Sequence, residues 1–288
     1  MIRTPPSGRG ERLPSRGDAP LRVETLVLGG GLAGLSAAWH LQRRGRKVLV
    51  AEKEAGVGGT ASSARRRGFV FDKTGHLLHL HTPYGRRLVL SLLRGNVRPL
   101  TRDARVFLKG RSTRYPFQAN TYGLPEDVRA DCLAGFLENV YRPGRPLGER
   151  ASFAAWSLRR FGSGICRHFM SPYNRKLWGV PLERLTADWQ GRFVPAPEPR
   201  EVLAGALLDQ TKGFGYNAVF HYPRRGVSQS LADALAARLE PGTVRLGAAA
   251  ERVDLGSRTA RVRGLGEVRF DRLVNTAPLP EFLDLSGP

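Results

Sequence analysis

The chain has 288 residues, a hydrophobic share of 41% and a formal net charge of +21. That length can bury a sizeable core in one large domain or two, and the apolar share is ordinary for a globular protein. A nucleic-acid partner would suit the charge, but the 46 basic residues are spread along the whole chain and no nucleic-acid-binding motif accompanies them. We therefore expect a solvated arginine-rich surface and no nucleic-acid partner, with some arginines serving an anionic small molecule.

The sequence contains no apolar segment long enough to cross a membrane, since the best candidate, residues 26–41, is interrupted by four glycines. Residues 1–20 are rich in Pro, Gly and Arg, lack the apolar core of a secretory signal, and are predicted to form a disordered basic tail. Cys132 and Cys166 stand alone without CxxC spacing. The cytoplasm is the expected compartment because nothing indicates a disulfide framework.

Hydrophobic periodicity predicts a helical block between two α/β pieces, without an internal repeat. In chain order we predict a strand at 22–28, a helix at 32–44, a strand at 47–51, a loop and helix over 72–93, a hairpin over 105–117, helices at 125–141, 152–170, 201–210 and 226–239, a strand at 244–246, a strand pair over 250–270 and a strand at 273–276.

The first glycine-rich stretch follows the first predicted strand and opens the first helix. Gly29, Gly31 and Gly34 fit the pattern GxGxxG. The first glycine allows a tight turn, the second lets a pyrophosphate approach the backbone, and the third lets helix and strand pack closely. Glu52 ends the second strand, 18 residues after Gly34, where a carboxylate can accept hydrogen bonds from a ribose. The alternative is a glycine-rich turn in an ordinary α/β unit, which does not require the spaced acid.

A second pair of glycines, Gly58 and Gly59, distinguishes FAD from NAD. An extended FAD can reach a second bare-backbone turn just beyond the acid, whereas a plain loop after the strand needs no paired glycines. One ligand, FAD, therefore explains both glycine-rich stretches.

Five further stretches give the chain a resemblance to a known superfamily. They are GHLLHLH (75–81), YPFQAN (115–120), FMSPYNRKLWGVPLERL (169–185), FGYNAVFHYPRRG (214–226) and FDRLVNTA (270–277). In these stretches and their order, the chain resembles the glutathione-reductase-type FAD superfamily, which holds amine oxidases, protoporphyrinogen oxidases and UDP-galactopyranose mutases. Within it the chain is most similar to the eukaryotic-type mutases.

The resemblance implies an α/β fold, namely a Rossmann-like FAD-binding domain of the glutathione-reductase type with an inserted, mainly helical substrate domain. The implied limits are 1–20 for the tail, 21–97 and 221–288 for the FAD-binding domain, and 98–220 for the inserted domain. The implied activity is that of a UDP-galactopyranose mutase-like isomerase that uses reduced FAD, with a nucleoside-diphosphate sugar as substrate and NADPH or NADH as a reductant.

The glycine motifs and the resemblance together assign residues to the two ligands. The expected FAD contacts are Gly29, Gly31, Leu32, Ala33, Gly34, Glu52, Lys53, Gly58, Gly59, Thr60, Ala61, Thr74, Gly75, His76 and Val253. The expected substrate contacts are Tyr115, Gln118, Asn174, Trp178, Arg192 and Asn217, and the catalytic candidates are His76 and Arg225. From the residues alone, Trp178 could be a core aromatic and Asn174 part of an Asx turn. No metal is expected, because the alternating histidines 76, 79 and 81 have no Cys or spaced acid beside them.

Four positions depart from the family pattern and leave the identity of the sugar nucleotide open. Thr74 replaces the first of a glycine pair, and His79 stands at an aromatic position of the uracil region. Ala104 replaces a serine near Arg102, and Arg102 itself matches an NADPH-associated arginine. Arg192 lies one residue before the place of a diphosphate-binding arginine, and this chain has Phe193 at that place.

Two other functions remain open. Family members continue well past the position of Pro288, so we expect a fragment, a truncated reading frame or a reduced relative. The chain could then be a truncated, non-catalytic FAD-binding remnant. It could also be an FAD-dependent oxidoreductase of the amine oxidase or protoporphyrinogen oxidase type, although the stretches between 169 and 226 favour the mutase.

Overall fold

The computed structural model describes residues 20–75, 77–142, 144, 146–148, 150–191, 193–215 and 218–287. The predicted tail lies outside the described residues except for Pro20, and so do the site candidates His76, Arg192 and Asn217.

Strands and helices alternate along most of the chain. The first elements are β1 (Leu21–Leu28), α1 (Leu32–Gln42), β2 (Val48–Ala51), β3 (Ser63–Arg66), β4 (Phe69–Asp72) and α2 (Pro83–Leu93). Next come β5 (Arg98–Thr101), β6 (Arg105–Leu108), β7 (Arg111–Arg114), α3 (Glu126–Tyr141), α4 (Phe153–Ile165), α5 (Ser171–Trp178), α6 (Pro199–Leu207) and β8 (Val219–Tyr222). The last are α7 (Gln229–Ala236), β9 (Val244–Arg245), β10 (Ala250–Asp254), β11 (Thr259–Val262), β12 (Gly266–Asn275) and α8 (Leu279–Ser286).

The chain forms two compact units. The first, which we call the sheet unit, comprises the chain up to Arg98 together with the part from His221 onward. The second, which we call the cavity unit, spans Pro99–Phe220. The role of the cavity unit as a substrate domain stays a prediction.

A six-stranded mixed sheet organises the sheet unit, with the strand order β10-β11-β12-β1-β2-β9. Strands β12, β1, β2 and β9 run parallel, while β10 and β11 are antiparallel to their neighbours. The predicted strand–helix–strand unit is confirmed, because β1 and β2 pair in parallel on either side of α1 in the chain. Strand β1 lies inside the sheet with both of its faces covered, and this explains why it ends in a continuous apolar run.

Alternate residues of β1 enter two different cores. Leu26 and Leu28 pack with residues of β10, β11 and β12, including Val253 and Phe270. Val27 packs in the other core with residues of α1, α2 and α7, including Leu35. Successive side chains of a strand point to opposite faces, so the sheet has a hydrophobic layer on each side.

Helices α3 and α4 pack together in the cavity unit, where Phe153, Phe161 and Ile165 are fully buried. Glycines allow this close approach. A Cβ on Gly164 would lie 2.0 Å from the carbonyl oxygen of Asp131.

Two sequence predictions need correction, and one hairpin was not predicted. The helix predicted over 152–170 is α4, interrupted by Gly162 at φ 80° and ψ 172°, and is followed by a π-helical turn at Cys166–Met170 that leads directly into α5. Periodicity cannot detect such a turn, because one extra residue shifts the pattern without removing it. Strand β12 runs through the predicted break before residue 273, and the hairpin of β3 and β4 was not predicted because both strands have only four residues.

None of the described helices combines the length and the apolar character needed to span a bilayer.

Candidate cofactor and substrate sites

The fold itself requires two glycines of the first turn. Gly29 has φ +101°, and a Cβ there would lie 2.8 Å from the Thr276 hydroxyl oxygen. At Gly34 a Cβ would lie only 1.9 Å from the carbonyl oxygen of Gly29. Thr276 stabilises this turn by donating its hydroxyl to the carbonyl oxygens of Leu28 and Gly29. Sequence reasoning missed Thr276, because a single threonine after a strand has no distinctive pattern.

Gly31 is different, because the protein alone places nothing where its side chain would be. Its backbone is extended (φ −73°, ψ 177°), so any residue can adopt it. The nearest atom to a Cβ at Gly31 would be the Gly59 Cα, at an ordinary van der Waals distance of 3.8 Å. A bare backbone at this position therefore suits a ligand rather than the fold.

The second glycine turn lies directly against the first. Gly58 donates its N–H to the carbonyl oxygen of Gly30 at 2.9 Å, and a Cβ on Gly59 would lie 3.2 Å from the Gly31 Cα. Gly58 and Gly59 both have positive φ values, which favour glycine. The N–H groups in the first turn of α1 have no acceptor within the helix, and a pyrophosphate is a suitable acceptor for them.

Glu52 lies buried at the end of β2, with 5% of its surface exposed. Its carboxylate accepts the N–H of Gly30 at 2.5 Å and that of Glu54 at 2.8 Å. Each carboxylate oxygen has a further lone pair, so the group can still accept a ribose hydroxyl. Gly30, which the sequence pattern treated as a free position, is bare for the sake of Glu52: a Cβ there would lie 2.9 Å from a Glu52 oxygen and 3.0 Å from its Cβ and Cγ, so it would displace the carboxylate.

Six of the other cofactor candidates lie close to the two glycine turns or beside them in the chain. Leu32 and Ala33 lie in the first turn of α1, while Thr60 and Ala61 lie in the short 3₁₀ turn Gly59–Ala61. Thr74 lies beside that turn, because its hydroxyl donates to the Thr60 carbonyl oxygen at 3.3 Å, and Gly75 next to it is exposed.

Two further candidates have other surroundings. Lys53 forms an ion pair with Glu281 at 3.0 Å, and its hydrogen bond to the Glu281 carboxylate raises the pKa of Lys53. The Val253 side chain is 2% exposed and belongs to the core, so only its backbone could meet a ligand.

Four of the predicted substrate residues line one cavity of the cavity unit, with a volume of about 450 Å³. These residues are Tyr115, Gln118, Asn174 and Trp178. The remaining walls come from Arg102, Phe169, Met170, Tyr173, Leu177, Trp189, Phe193 and Val194. The volume lies within the usual range of small-molecule sites, and aromatic walls with a few polar groups are typical of them.

The π-helical turn Cys166–Met170 and α5 together supply one wall of this cavity. Phe169 of the turn stacks on Phe117 and on Tyr173, with ring centroids 4.8 Å apart in both pairs. This three-ring stack joins the core to the cavity wall and holds the turn in place. Asn174 is 5% exposed and donates to the Met170 carbonyl oxygen at 2.8 Å within the helix, so it is not part of an Asx turn.

Gln118 carries an unpaired acceptor at the cavity. Its side chain is 2% exposed, and its Nε2 donates to the Pro195 carbonyl oxygen at 2.8 Å. Its Oε1 is buried without a hydrogen-bond partner among the described residues. Leaving a buried acceptor unpaired costs roughly 1–3 kcal/mol.

Flat rings and one cation complete the cavity. Trp178 is 45% exposed and meets Trp189 edge-on with centroids 5.1 Å apart, so it is not the core aromatic that the sequence left open. The Arg102 guanidinium lies over the Tyr115 ring at 4.7 Å. An exposed ring and a stacked guanidinium can bind a planar base and an anionic group, respectively.

Arg225, a catalytic candidate, lies in the sheet unit and is exposed. Asn96 fixes its backbone by two hydrogen bonds, accepting the Arg225 N–H at 2.9 Å and donating to the Arg225 carbonyl oxygen at 2.8 Å. The histidines 79 and 81 stack in parallel with centroids 5.7 Å apart. In the part of the chain that the structure describes, no group of three or more metal-ligating side chains assembles.

Comparison with known families matches residues 32–285 to the flavin containing amine oxidoreductases. Among curated proteins, coproporphyrinogen III oxidase of Propionibacterium freudenreichii subsp. freudenreichii is 28% identical over 182 residues, which cover 57% of this chain and 33% of that protein. The AofH protein of Mycobacterium tuberculosis, named as a flavin-containing monoamine oxidase, is 27% identical over 248 residues, covering 82% of this chain and 52% of that protein.

Among solved structures, reduced UDP-galactopyranose mutase superposes with a TM-score of 0.83 and 28% identity, covering 92% of this chain and 58% of that one. The expected resemblance to this mutase is confirmed as a structural similarity. The chain spans less than two thirds of the length of each of these three proteins.

Proposed function

The chain belongs to the flavin containing amine oxidoreductase family, and on that premise we propose that it binds FAD and acts on a nucleoside-diphosphate sugar as a UDP-galactopyranose mutase-like isomerase. The observation that carries the substrate class is the cavity of about 450 Å³ that Tyr115, Gln118, Asn174 and Trp178 line together. The similarity to the reduced mutase supports the same assignment.

The fit of FAD rests on the sheet unit alone. The open space at Gly31, beside Gly59, would accommodate a pyrophosphate. The N-terminus of α1 supplies N–H donors and a partial positive charge for that group. The buried Glu52 would hold the ribose by its remaining lone pairs. When bound, FAD supplies the redox-active ring that the family requires, and in a mutase it would act in the reduced form.

The side chains around the cavity have separate proposed roles. Trp178 and Tyr115 offer flat faces to a base, and Gln118, which lines the same cavity, is a further proposed contact from the resemblance. Arg102 would attract the diphosphate, with Arg192 and Asn217 as further polar contacts from the resemblance. Arg225 is proposed as a catalytic residue, again from the resemblance. His76 is proposed to lie beside the flavin ring. NADPH or NADH is the proposed reductant.

Calorimetry with the full chain tests this proposal. We expect dithionite-reduced, FAD-loaded protein to bind UDP and UDP-galactose, and Trp178→Ala to weaken both. A matched control is Tyr141→Ala, which removes an exposed aromatic that does not line the cavity. Absence of binding by either nucleotide would contradict the sugar-nucleotide assignment while leaving FAD binding to be judged by the flavin absorbance of the protein.

An oxidase acting on an amine or porphyrinogen is the second candidate. The walls of the cavity are largely aromatic and aliphatic, and Arg102 is the one cationic side chain among its described lining residues. Such walls suit an apolar substrate, and two of the relatives are named as oxidases. Peroxide production from an amine or a porphyrinogen, without nucleotide binding, would favour this candidate. FAD binding with neither activity would favour the non-catalytic alternative.

A further inference from the structure

A carboxylate that no motif singled out connects the segments assigned to the flavin. Asp72 ends β4 and lies partly buried in the sheet unit. Its Oδ1 accepts the Ser63 hydroxyl at 2.7 Å and the Ser228 N–H at 3.1 Å. Its Oδ2 accepts the Ser228 hydroxyl at 3.1 Å and the Tyr222 hydroxyl. One side chain thus links β3, β4, β8 and the N-terminal end of α7.

The loop that follows Asp72 is anchored at both of its ends. Lys73 donates its N–H to the Ser62 carbonyl oxygen at 3.0 Å, and Thr74 donates its hydroxyl to the Thr60 carbonyl oxygen at 3.3 Å. At the other end, Leu78 and His221 exchange two backbone hydrogen bonds of 3.0 Å. The loop between these anchors includes Thr74 and Gly75, which the proposed function assigns to FAD.

A glutamine extends the same network to the second glycine turn. Gln229 accepts the Ser63 N–H at 3.2 Å with its side-chain oxygen. Its Nε2 donates to the carbonyl oxygen of Val57 at 3.0 Å, immediately before Gly58. Because Ser63 also donates to Asp72, the two flavin-contact segments share one hydrogen-bonded support.

The chemistry of the cluster requires an ionised Asp72. Four donors converge on the carboxylate, and a protonated acid would lose part of that acceptor capacity. Burial alone would raise the pKa of Asp72, but the hydrogen bonds from Tyr222, Ser63 and Ser228 outweigh it and lower that pKa. Burial and the bond to Asp72 raise the pKa of Tyr222 to about 12, which keeps its hydroxyl a donor.

We propose that Asp72 is a positioning residue for the cofactor: through Ser63, Ser228 and Tyr222 it orders residues 57–61 and 73–75 into one surface for the flavin nucleotide. The inference rests on the proposed function, which places FAD on these segments. The hydrogen-bond partners of Asp72 among the described residues are Ser63, Tyr222 and Ser228, which are not assigned to FAD, so Asp72 acts by holding other residues.

The test compares Asp72→Ala with Glu24→Ala by hydrogen exchange of the ligand-free chain and by FAD titration. Glu24 is a matched control because it also joins several segments of the sheet unit, accepting from the Lys47 N–H at 3.1 Å, from Arg46 at 3.1 Å and from Arg272 at 2.9 Å. We expect Asp72→Ala to speed exchange of residues 57–61 and 73–75 by about tenfold or more, while exchange of α1 stays unchanged. We expect Glu24→Ala to leave both segments at the wild-type rate.

FAD affinity provides the second readout. Asp72→Ala should weaken FAD binding by about tenfold and Tyr222→Phe by less, with the Glu24→Ala value within about twofold of the wild type. Equal or uniform acceleration of exchange in the two alanine variants would overturn the positioning role, as would unchanged FAD affinity in Asp72→Ala. Wild-type protein that binds no FAD would instead overturn the proposed function, and the exchange data would still decide whether Asp72 orders the two segments.

Discussion

The two candidate sites are built from different parts of the chain. In the sheet unit, the glycine turns present backbone: their shape depends on the absence of side chains at Gly29 and Gly34, and the space beside Gly31 stays open for a ligand. In the cavity unit, the site is a space between large side chains, among them Trp178 and Phe169. Adding one carbon atom should therefore damage the first site, whereas removing atoms should damage the second.

This difference also determines how visible each site is in the sequence. A turn that needs bare backbone requires glycine at fixed spacings, and such spacings are visible in one sequence. A cavity wall needs only large apolar side chains, which have the same appearance as a core. Substitutions in the two units should therefore have effects of different size and kind.

Gly34→Ala should have the largest effect, on folding itself. The new Cβ would lie 1.9 Å from the Gly29 carbonyl oxygen, a backbone atom that cannot move aside as a flexible side chain would. We expect a loss of about 3 kcal/mol or more in the free energy of unfolding, measured by chemical denaturation. Gly56→Ala is the control, because a Cβ there would meet nothing within 4 Å and the backbone has no positive φ. Equal stability of the two variants would refute the proposed packing of the turn.

Gly31→Val should abolish most FAD binding without unfolding the chain. In the protein alone, the nearest atom to the new Cβ would be 3.8 Å away, so we expect the clash to be with the pyrophosphate. We expect FAD affinity to fall by about 100-fold, or about 2.7 kcal/mol, with an unfolding free energy near that of the wild type. Fluorescence titration with FAD and denaturation of the apo-protein give the two values. A Gly31→Val protein that retains FAD would end the assignment of this turn to the pyrophosphate.

Trp178→Ala tests the cavity by removing atoms. The indole is 45% exposed, so its loss should cost the fold little and a ligand more. We expect UDP affinity to fall by about tenfold, which corresponds to about 1.4 kcal/mol of lost stacking. Calorimetry of the reduced protein measures the effect. If Tyr141→Ala weakens UDP binding as much, the cavity is not the nucleotide site.

Much of the fold could be predicted because its elements have clear periods. The predicted unit of strand, helix and strand is β1, α1 and β2, and the predicted hairpin is β6 and β7. The third predicted helix, over 125–141, agrees with α3 at Glu126–Tyr141. Glycine spacing also located the turns whose geometry requires glycine, because steric exclusion acts directly on residue identity.

The rest depends on contacts between residues that are distant in the chain. Gly30 is bare because of Glu52, and Thr276 supports the first turn from 247 positions away. The Asp72 cluster likewise joins residues up to 156 positions apart. Such contacts have no local period, so a single sequence without homologues does not show them. The π-helical turn at Cys166–Met170 was not predicted for a related reason, because the residues on both sides of it keep helical spacing.

The smallest expected effect concerns the Asp72 side chain, in the sheet unit, where the other predictions concern glycine backbone. Asp72→Asn keeps the size of the side chain but removes its charge, so we expect a loss of about 1 kcal/mol in unfolding free energy at pH 7. The contacts lower the folded pKa of Asp72 from its ordinary 3.8. A lowered folded pKa means that the carboxylate's contribution is complete above the unfolded pKa and disappears as pH falls through the folded pKa. The gap between wild type and Asp72→Asn should therefore stay constant from pH 7 to about 5 and narrow below about 4. Chemical denaturation across this range measures the gap, and a gap that widens on acidification would show that Asp72 is not held as an anion.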